Sequence, residues 1–164
     1  MIALLPALHS CKGKSEKPPF DIKVNAPQAG KVVSVPYEEL GGVKTIPVKI
    51  NGVSMDMIYD TGCSGIQISL HELQTLLKNG KISQDDVLGM DYAQIADGTV
   101  VENGRIRLRS VTISGEGGSV ELHDLEASVA LNLEAPVLLG NTVADELASV
   151  EVDNVKKAIK FHKR

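Results

Sequence analysis

Apolar and polar residues alternate along several short stretches of the chain, the period of a half-buried strand. The first candidate is Val32-Val33-Ser34-Val35-Pro36-Tyr37. Val43 to Ile50 alternates next, with Ile46, Val48 and Ile50 on one face and Thr45, Pro47 and Lys49 on the other. Asn51-Gly52 then separates it from the run Val53 to Tyr59, and Asn-Gly between two apolar runs predicts a tight hairpin. Gly65 to Ser69 reads as a further short strand. The period then changes. Ser69-Leu70-His71-Glu72 has capping-box spacing, Leu70, Leu73 and Leu77 recur at helical intervals, and Gly80 marks the stop. Ser83-Gln84-Asp85-Asp86 can cap a shorter helical turn.

From Asp91 onward the pattern returns to strands: Asp91 to Ala96, the turn Asp97-Gly98, then Thr99 to about Ile113, with Glu116-Gly117-Gly118 as another turn. Leu125, Ala127, Val129 and Leu131 alternate on the strand that follows. Pro136-Val137-Leu138-Leu139-Gly140 is apolar throughout, which predicts a strand buried on both faces. Asn141 to Leu147 reads as a short helix. Ser149–Val152 and Ala158–Phe161 flank Asp153-Asn154 as a final hairpin.

Composition agrees with an all-β reading. The 164 residues suffice for one domain with a real core, 43% are apolar, and fifteen are glycine. With two Phe, three Tyr and no Trp, the core must be built from Val, Ile, Leu and Met. A net charge of −4 argues against nucleic acid as a partner, because phosphate binding needs a basic surface.

The N-terminus reads separately. The apolar segment Met1 to Ser10 runs into Cys11, and charged Lys12 to Lys17 follows at once. Residues 1–11 resemble a bacterial lipoprotein signal with Leu8-His9-Ser10-Cys11 as the lipobox, although no basic segment precedes the apolar run and His9 stands where a small residue is usual. The resemblance implies a lipid on Cys11, a protein anchored in the bacterial cell envelope facing the periplasm, and no pairing of Cys11 with Cys63. The run is too short to span a bilayer. Residues 12–30 read as a solvated tether and 31–164 as the folded domain.

Chemistry concentrates at Asp60-Thr61-Gly62, where a strand delivers a carboxylate into a turn of small residues whose backbone N–H groups can bind it. The order of this tripeptide, a glycine-tipped hairpin at Ile95-Ala96-Asp97-Gly98-Thr99, and Val137-Leu138-Leu139-Gly140 before a short helix resembles the retropepsin-like aspartic proteases. The likeness is greatest to bacterial single-domain members, which share the helical insert after the aspartate and Val101-Glu102-Asn103 after the flap turn. It covers roughly residues 31–164. The resemblance implies a closed acid-protease barrel with one inserted helix and a short C-terminal helix. It makes Asp60 the catalytic carboxylate, supported by Thr61, Gly62, Leu138, Leu139 and Gly140, under a flap tipped by Ala96, Asp97 and Gly98. Cys63 departs from the family, which usually carries a small residue such as Ala there; a thiol makes the site sensitive to oxidation.

The family's chemistry uses two carboxylates, and this chain offers one. A homodimer related by a two-fold axis would supply the second. The expected activity is aspartic endopeptidase cleavage of peptide or protein substrates, with neither cofactor nor metal. A peptide-binding module with the same fold and no turnover is the competing reading, and the intact Asp60-Thr61-Gly62 favours the enzyme. Cys63 as a thiol nucleophile with His71 or His123 as base is a further alternative. His9, His71, His123 and His162 have no metal-ligand spacing. Arg105, Arg107 and Arg109 alternate on one strand face, either as a solvated outer surface or as a contact for acidic substrate or lipid headgroups.

Overall fold

The computed structural model describes residues 30–95 and 97–164; the signal segment with Cys11, the tether up to residue 29 and Ala96 lie outside the described residues. The elements run β1 (Val32–Pro36), β2 (Glu38–Leu40), β3 (Val43–Ile50), β4 (Val53–Tyr59), β5 (Ile66–Ser69), α1 (Leu70–Lys78) and a 3-10 turn (Gln84–Asp86). They continue with β6 (Val87–Gln94), β7 (Val100–Gly115), β8 (Gly118–Ala130), β9 (Leu138–Leu139), α2 (Asn141–Asp145), β10 (Ser149–Asp153) and β11 (Ala158–His162). Eight strands form one sheet in the order β2-β3-β4-β9-β5-β8-β7-β6, and β3 also pairs with β7, closing the sheet into a barrel. A second sheet has the order β1-β11-β10. The all-β barrel with an inserted helix is the architecture expected.

Local chemistry explains the main elements. Asn51 and Gly52 take φ of 49° and 84°, the left-handed pair that a two-residue hairpin turn requires. Ile46, Val48 and Ile50 then fall on the inner face at 0–1% exposure. Ser69 caps α1 by accepting from the His71 N–H at 3.0 Å and bonds the Glu72 carboxylate through its hydroxyl. At the other end, the N–H of Gly80 reaches Leu77 O and that of Lys81 reaches Leu76 O, a Schellman closure.

Four expectations need correction. The helix buries Leu76 rather than Leu77, which is half-exposed, because the inward stripe runs through Leu73 and Leu76. The strand before the flap turn starts at Val87, not Asp91, since a register shift between Val87 and Gly89 lets it pair across a bulge that simple alternation conceals. The strand carrying Leu125, Ala127 and Val129 stops at Ala130, and Leu131 is exposed in the following turn, where Asn132 O accepts from Leu70 N–H at 3.1 Å. Finally, the apolar run 136–140 is not covered on both faces. Only Leu138 and Leu139 are strand; Leu139 is fully buried, Leu138 half-buried and Pro136 exposed.

The β7–β8 hairpin has a feature that no periodicity announces. Ile106 and Leu108 face the core, and so do Val111 and Ile113, so the inward face changes between Leu108 and Val111. Its partner strand changes in step, from Leu125 to Val120, around Asp124 at φ 54°. The register is the same on either side, Leu108↔Leu125 and then Ser110↔His123, with the Arg109/Asp124 pair skipped between them. The hairpin therefore turns over at Arg109 and Asp124, and its far end meets β1, where Ser34 and Glu116 exchange two backbone hydrogen bonds of 2.9 Å.

Candidate active site

Asp60 follows the last residue of β4, and the strand beside it comes from far along the chain. β9 lies between β4 and β5, parallel to the first (Ile58↔Leu138) and antiparallel to the second (Ile66↔Leu139). The Asp60 N–H continues this pairing by donating to Leu139 O at 3.1 Å. The chain then reverses: Cys63 N–H donates to Asp60 O at 3.2 Å, and Gly62 N–H donates to the Asp60 carboxylate Oδ1 at 2.8 Å. A β-carbon on Gly62 would stand 3.1 Å from that oxygen, tighter than ordinary contacts, so glycine suits the position. Asp60 is half-buried, while Thr61 and Gly62 are exposed, leaving one side of the turn open to solvent.

Behind the turn, Gly140 allows the two segments to touch. A β-carbon there would lie 2.3 Å from Gly65 O and 2.4 Å from Cys63 O, both backbone atoms that cannot move aside cheaply. The first two residues of α2 then use N–H groups that a helix start leaves unsatisfied. Asn141 N–H donates to Cys63 O at 2.9 Å and Thr142 N–H to Ser64 O at 3.1 Å. Their side chains add to the brace: Asn141 Nδ2 donates to Thr61 O at 2.9 Å and the Thr142 hydroxyl to Ser64 O at 3.0 Å. Sequence reasoning does not single out either residue as part of the site; two hydrogen-bonding residues directly after an apolar run and glycine are the available signal. Tyr59 is a further addition. Its ring meets Phe161 edge-on at 6.4 Å and 85°, and burial pushes its hydroxyl pKa up.

The flap turn is assembled differently. Gly98 takes φ 88°, and its N–H donates to Ile95 O at 2.9 Å. Thr99 N–H donates to the Asp97 carboxylate at 2.8 Å, the main cause of a lowered Asp97 pKa, and Gln94 Nε2 donates to Gly98 O at 3.2 Å. Among the described residues no hydrogen bond links this tip to the Asp60 turn. The structure thus brings Asp60, Thr61 and Gly62 together with Leu138, Leu139 and Gly140, and leaves Asp97 and Gly98 as a separate hairpin end.

The other candidates fall into place nearby. The Cys63 thiol points to Gly65 O at 3.2 Å; His123 instead lies against Arg109 O at 3.2 Å, and neither His123 nor His71 bonds the thiol. Arg105 bonds Glu126 at 3.0 Å and sits 3.8 Å from Asp91, an ion-paired outer face. Arg109 is the exception, since it grips the buried Asp86 carboxylate. That pairing, backed by the Ser83 N–H at 2.8 Å, holds Asp86 at a pKa of about 2.

The family model described as "gag-polyprotein putative aspartyl protease" matches residues 46–143. That interval is more than half of the chain and contains the Asp60 turn, the flap turn and Leu138-Leu139-Gly140. The chain belongs to this aspartyl protease family. Among solved structures, a retropepsin-like aspartic protease from Rickettsia conorii superposes with a TM-score of 0.56 at 17% identity, covering 80% of this chain and 90% of that one. This establishes the retropepsin-like fold. A crystal structure of edgp aligns at 12% identity over 85% of this chain and 48% of the other, with a TM-score of 0.47, too low to carry an argument. No curated protein sequence matches the chain.

Proposed function

We propose that this retropepsin-like chain is one half of an aspartic endopeptidase, with Asp60 of two copies forming the catalytic dyad across a two-fold axis. The observation that carries the reading is the Asp60 turn itself: a carboxylate fixed by the Gly62 N–H at 2.8 Å in a turn braced from behind and open to solvent at Thr61 and Gly62. Two carboxylates brought together cannot both ionise comfortably, so they share a proton, as those of aspartic proteases are known to do. The ionised member then removes a proton from a bound water as it attacks the peptide carbonyl. The protonated member hydrogen-bonds the carbonyl oxygen and stabilises the charge that develops there. The dyad titrates as a coupled pair. Thr61, exposed and with no side-chain hydrogen bond among the described residues, is free to contact the opposite turn. An extended peptide under the Asp97-Gly98 hairpin would be the substrate. Anchorage of the enzyme at the cell envelope through lipid on Cys11 belongs to the same proposal.

Incubation with a mixed peptide library from mildly acidic to neutral pH tests the reading, wild type against Asp60→Asn. Cleavage by the wild type alone is expected. Cleavage that survives the substitution would sink the dyad, as would sedimentation of the active protein as a strict monomer.

A further inference from the structure

One edge of β4 is only partly occupied. Ile58 N–H donates to Val137 O at 2.8 Å and Asp60 N–H to Leu139 O, so the even-numbered residues of β4 direct their backbone groups away from β3. Ser54 and Asp56 share that direction, but β9 pairs only with Ile58 and Tyr59. Among the described residues no strand meets the backbone of Ser54 and Asp56 on that side. A groove of about 370 Å³ opens there, between Val53–Asp56 of β4 and His71, Glu72 and Thr75 of α1. Val53 and Met55 pack on the core and give the groove an apolar floor, while Ser54 and Asp56 are exposed. Asp56 and Lys49, the residue opposite Ser54, hold no ion pair among the described residues.

We propose that the chain's own segment Phe20-Asp21-Ile22-Lys23-Val24, which lies outside the described residues, docks in this groove as an added strand parallel to β4. Open N–H and C=O groups along a strand edge bind an extended peptide, and the floor beneath them selects every second side chain. The segment fits in pattern, charge and reach. Its apolar residues alternate, so Phe20, Ile22 and Val24 can all face Val53 and Met55 while Asp21 and Lys23 face outward. In the parallel direction Asp21 comes toward Lys49 and Lys23 toward Asp56, whereas the antiparallel direction would set Asp21 against Asp56. The six residues from Val24 to Gly30 span up to about 20 Å. The chain enters the domain at Gly30, against Lys163 O, and Arg164 beside it bonds Leu147 O at 3.2 Å, just past the end of α2. Because α2 begins where β9 ends, the entry lies on the groove's side of β4.

Docked there, the segment gives β4 a second neighbour along its length, and β4 is the strand that leads into Asp60. It also fixes the point at which the tether leaves the domain. The docking stands apart from the dyad, since it needs neither a second copy nor cleavage.

Amide hydrogen exchange on the full-length protein tests the proposal. In the wild type the amides of Ser54 and Asp56 should exchange at least about tenfold more slowly than in Ile22→Asp, which removes the central apolar contact without altering residues 31–164. Lys23→Glu should speed them by about threefold, and Lys23→Glu combined with Asp56→Lys should restore the slow rate. Exchange in the wild type as fast as in an unprotected peptide would overturn the docking. Slow exchange that Ile22→Asp leaves unchanged would do the same, the result expected if a second copy covers the edge instead. Peptide cleavage on the same samples, wild type against Asp60→Asn, reports on the dyad separately.

Discussion

The Asp60 turn and the Asp97 turn are both short reversals that contain a glycine and a carboxylate bonded by a backbone N–H, yet they are held by different means. Around Asp60 the bonds come from far away in sequence: Leu139, Asn141 and Thr142 reach the backbone of residues 60–64. At the flap, among the described residues, every bond of the tip lies within residues 94–99. The first turn cannot open without unpicking β9 and α2, whereas among the described residues the second is held only by its own neighbours. The hydrolytic role proposed above calls for such a division between a fixed acid and a less tightly held cover.

The comparison can be broken at several points. The largest effect is expected from Asp60→Asn, which keeps the turn's shape but removes the acid. Peptide cleavage should fall by about a thousandfold or more while the melting temperature stays near wild type. Gly140→Ala drives a β-carbon into two backbone oxygens and should cost about 3 kcal/mol or more, seen as a drop of roughly 10 °C in thermal unfolding.

Asp86→Asn tests the base of the flap hairpin, where the buried acid just before β6 is tied to Arg109 on β7; a loss of about 2 kcal/mol in denaturant unfolding is expected. Because the Asp86 pKa in the folded protein is about 2, below its ordinary 3.8, this stabilisation is complete above pH 3.8 and disappears as pH falls towards 2. The wild-type advantage over Asp86→Asn should shrink across that window. Gly98→Ala is the mildest change. Among the described residues the nearest atom to an added β-carbon is Gln94 Nε2 at 3.9 Å, so the strain expected is that of the positive φ, about 1 kcal/mol. A raised KM with little change in unfolding would fit a self-contained tip; a large loss of stability would contradict it.

Much of this architecture is legible in the amino-acid sequence. Asn51-Gly52 and the Ser69 cap act through neighbours a few residues away, so local chemistry is enough to place them. The order of Asp60-Thr61-Gly62, the flap turn and Leu138-Leu139-Gly140 points to the family that the comparison bears out. What escapes depends on distant partners. Leu138-Leu139 is too short to announce a strand between two others, and the bonds from Asn141 and Thr142 exist only because Gly140 brings α2 against the turn. The reversal of faces at Asp124 violates the alternation by which strands are recognised. The final hairpin turn is longer than Asp153-Asn154 suggests, because the Asp153 carboxylate accepts from the N–H groups of Val155 and Lys156 and draws the loop out to Lys157.

The place of β9 between β4 and β5 also governs when the site comes into being. Its Leu139 is nearly eighty positions beyond Asp60, so during synthesis the acid is made long before the strand that holds it. With translation at about 5–20 residues per second, several seconds separate the two events. Over that interval β4 and β5 lack the strand that joins them, and the turn has nothing behind it. The Asp60 turn can take its final form only once Leu139 has been added and β9 can slot in behind it.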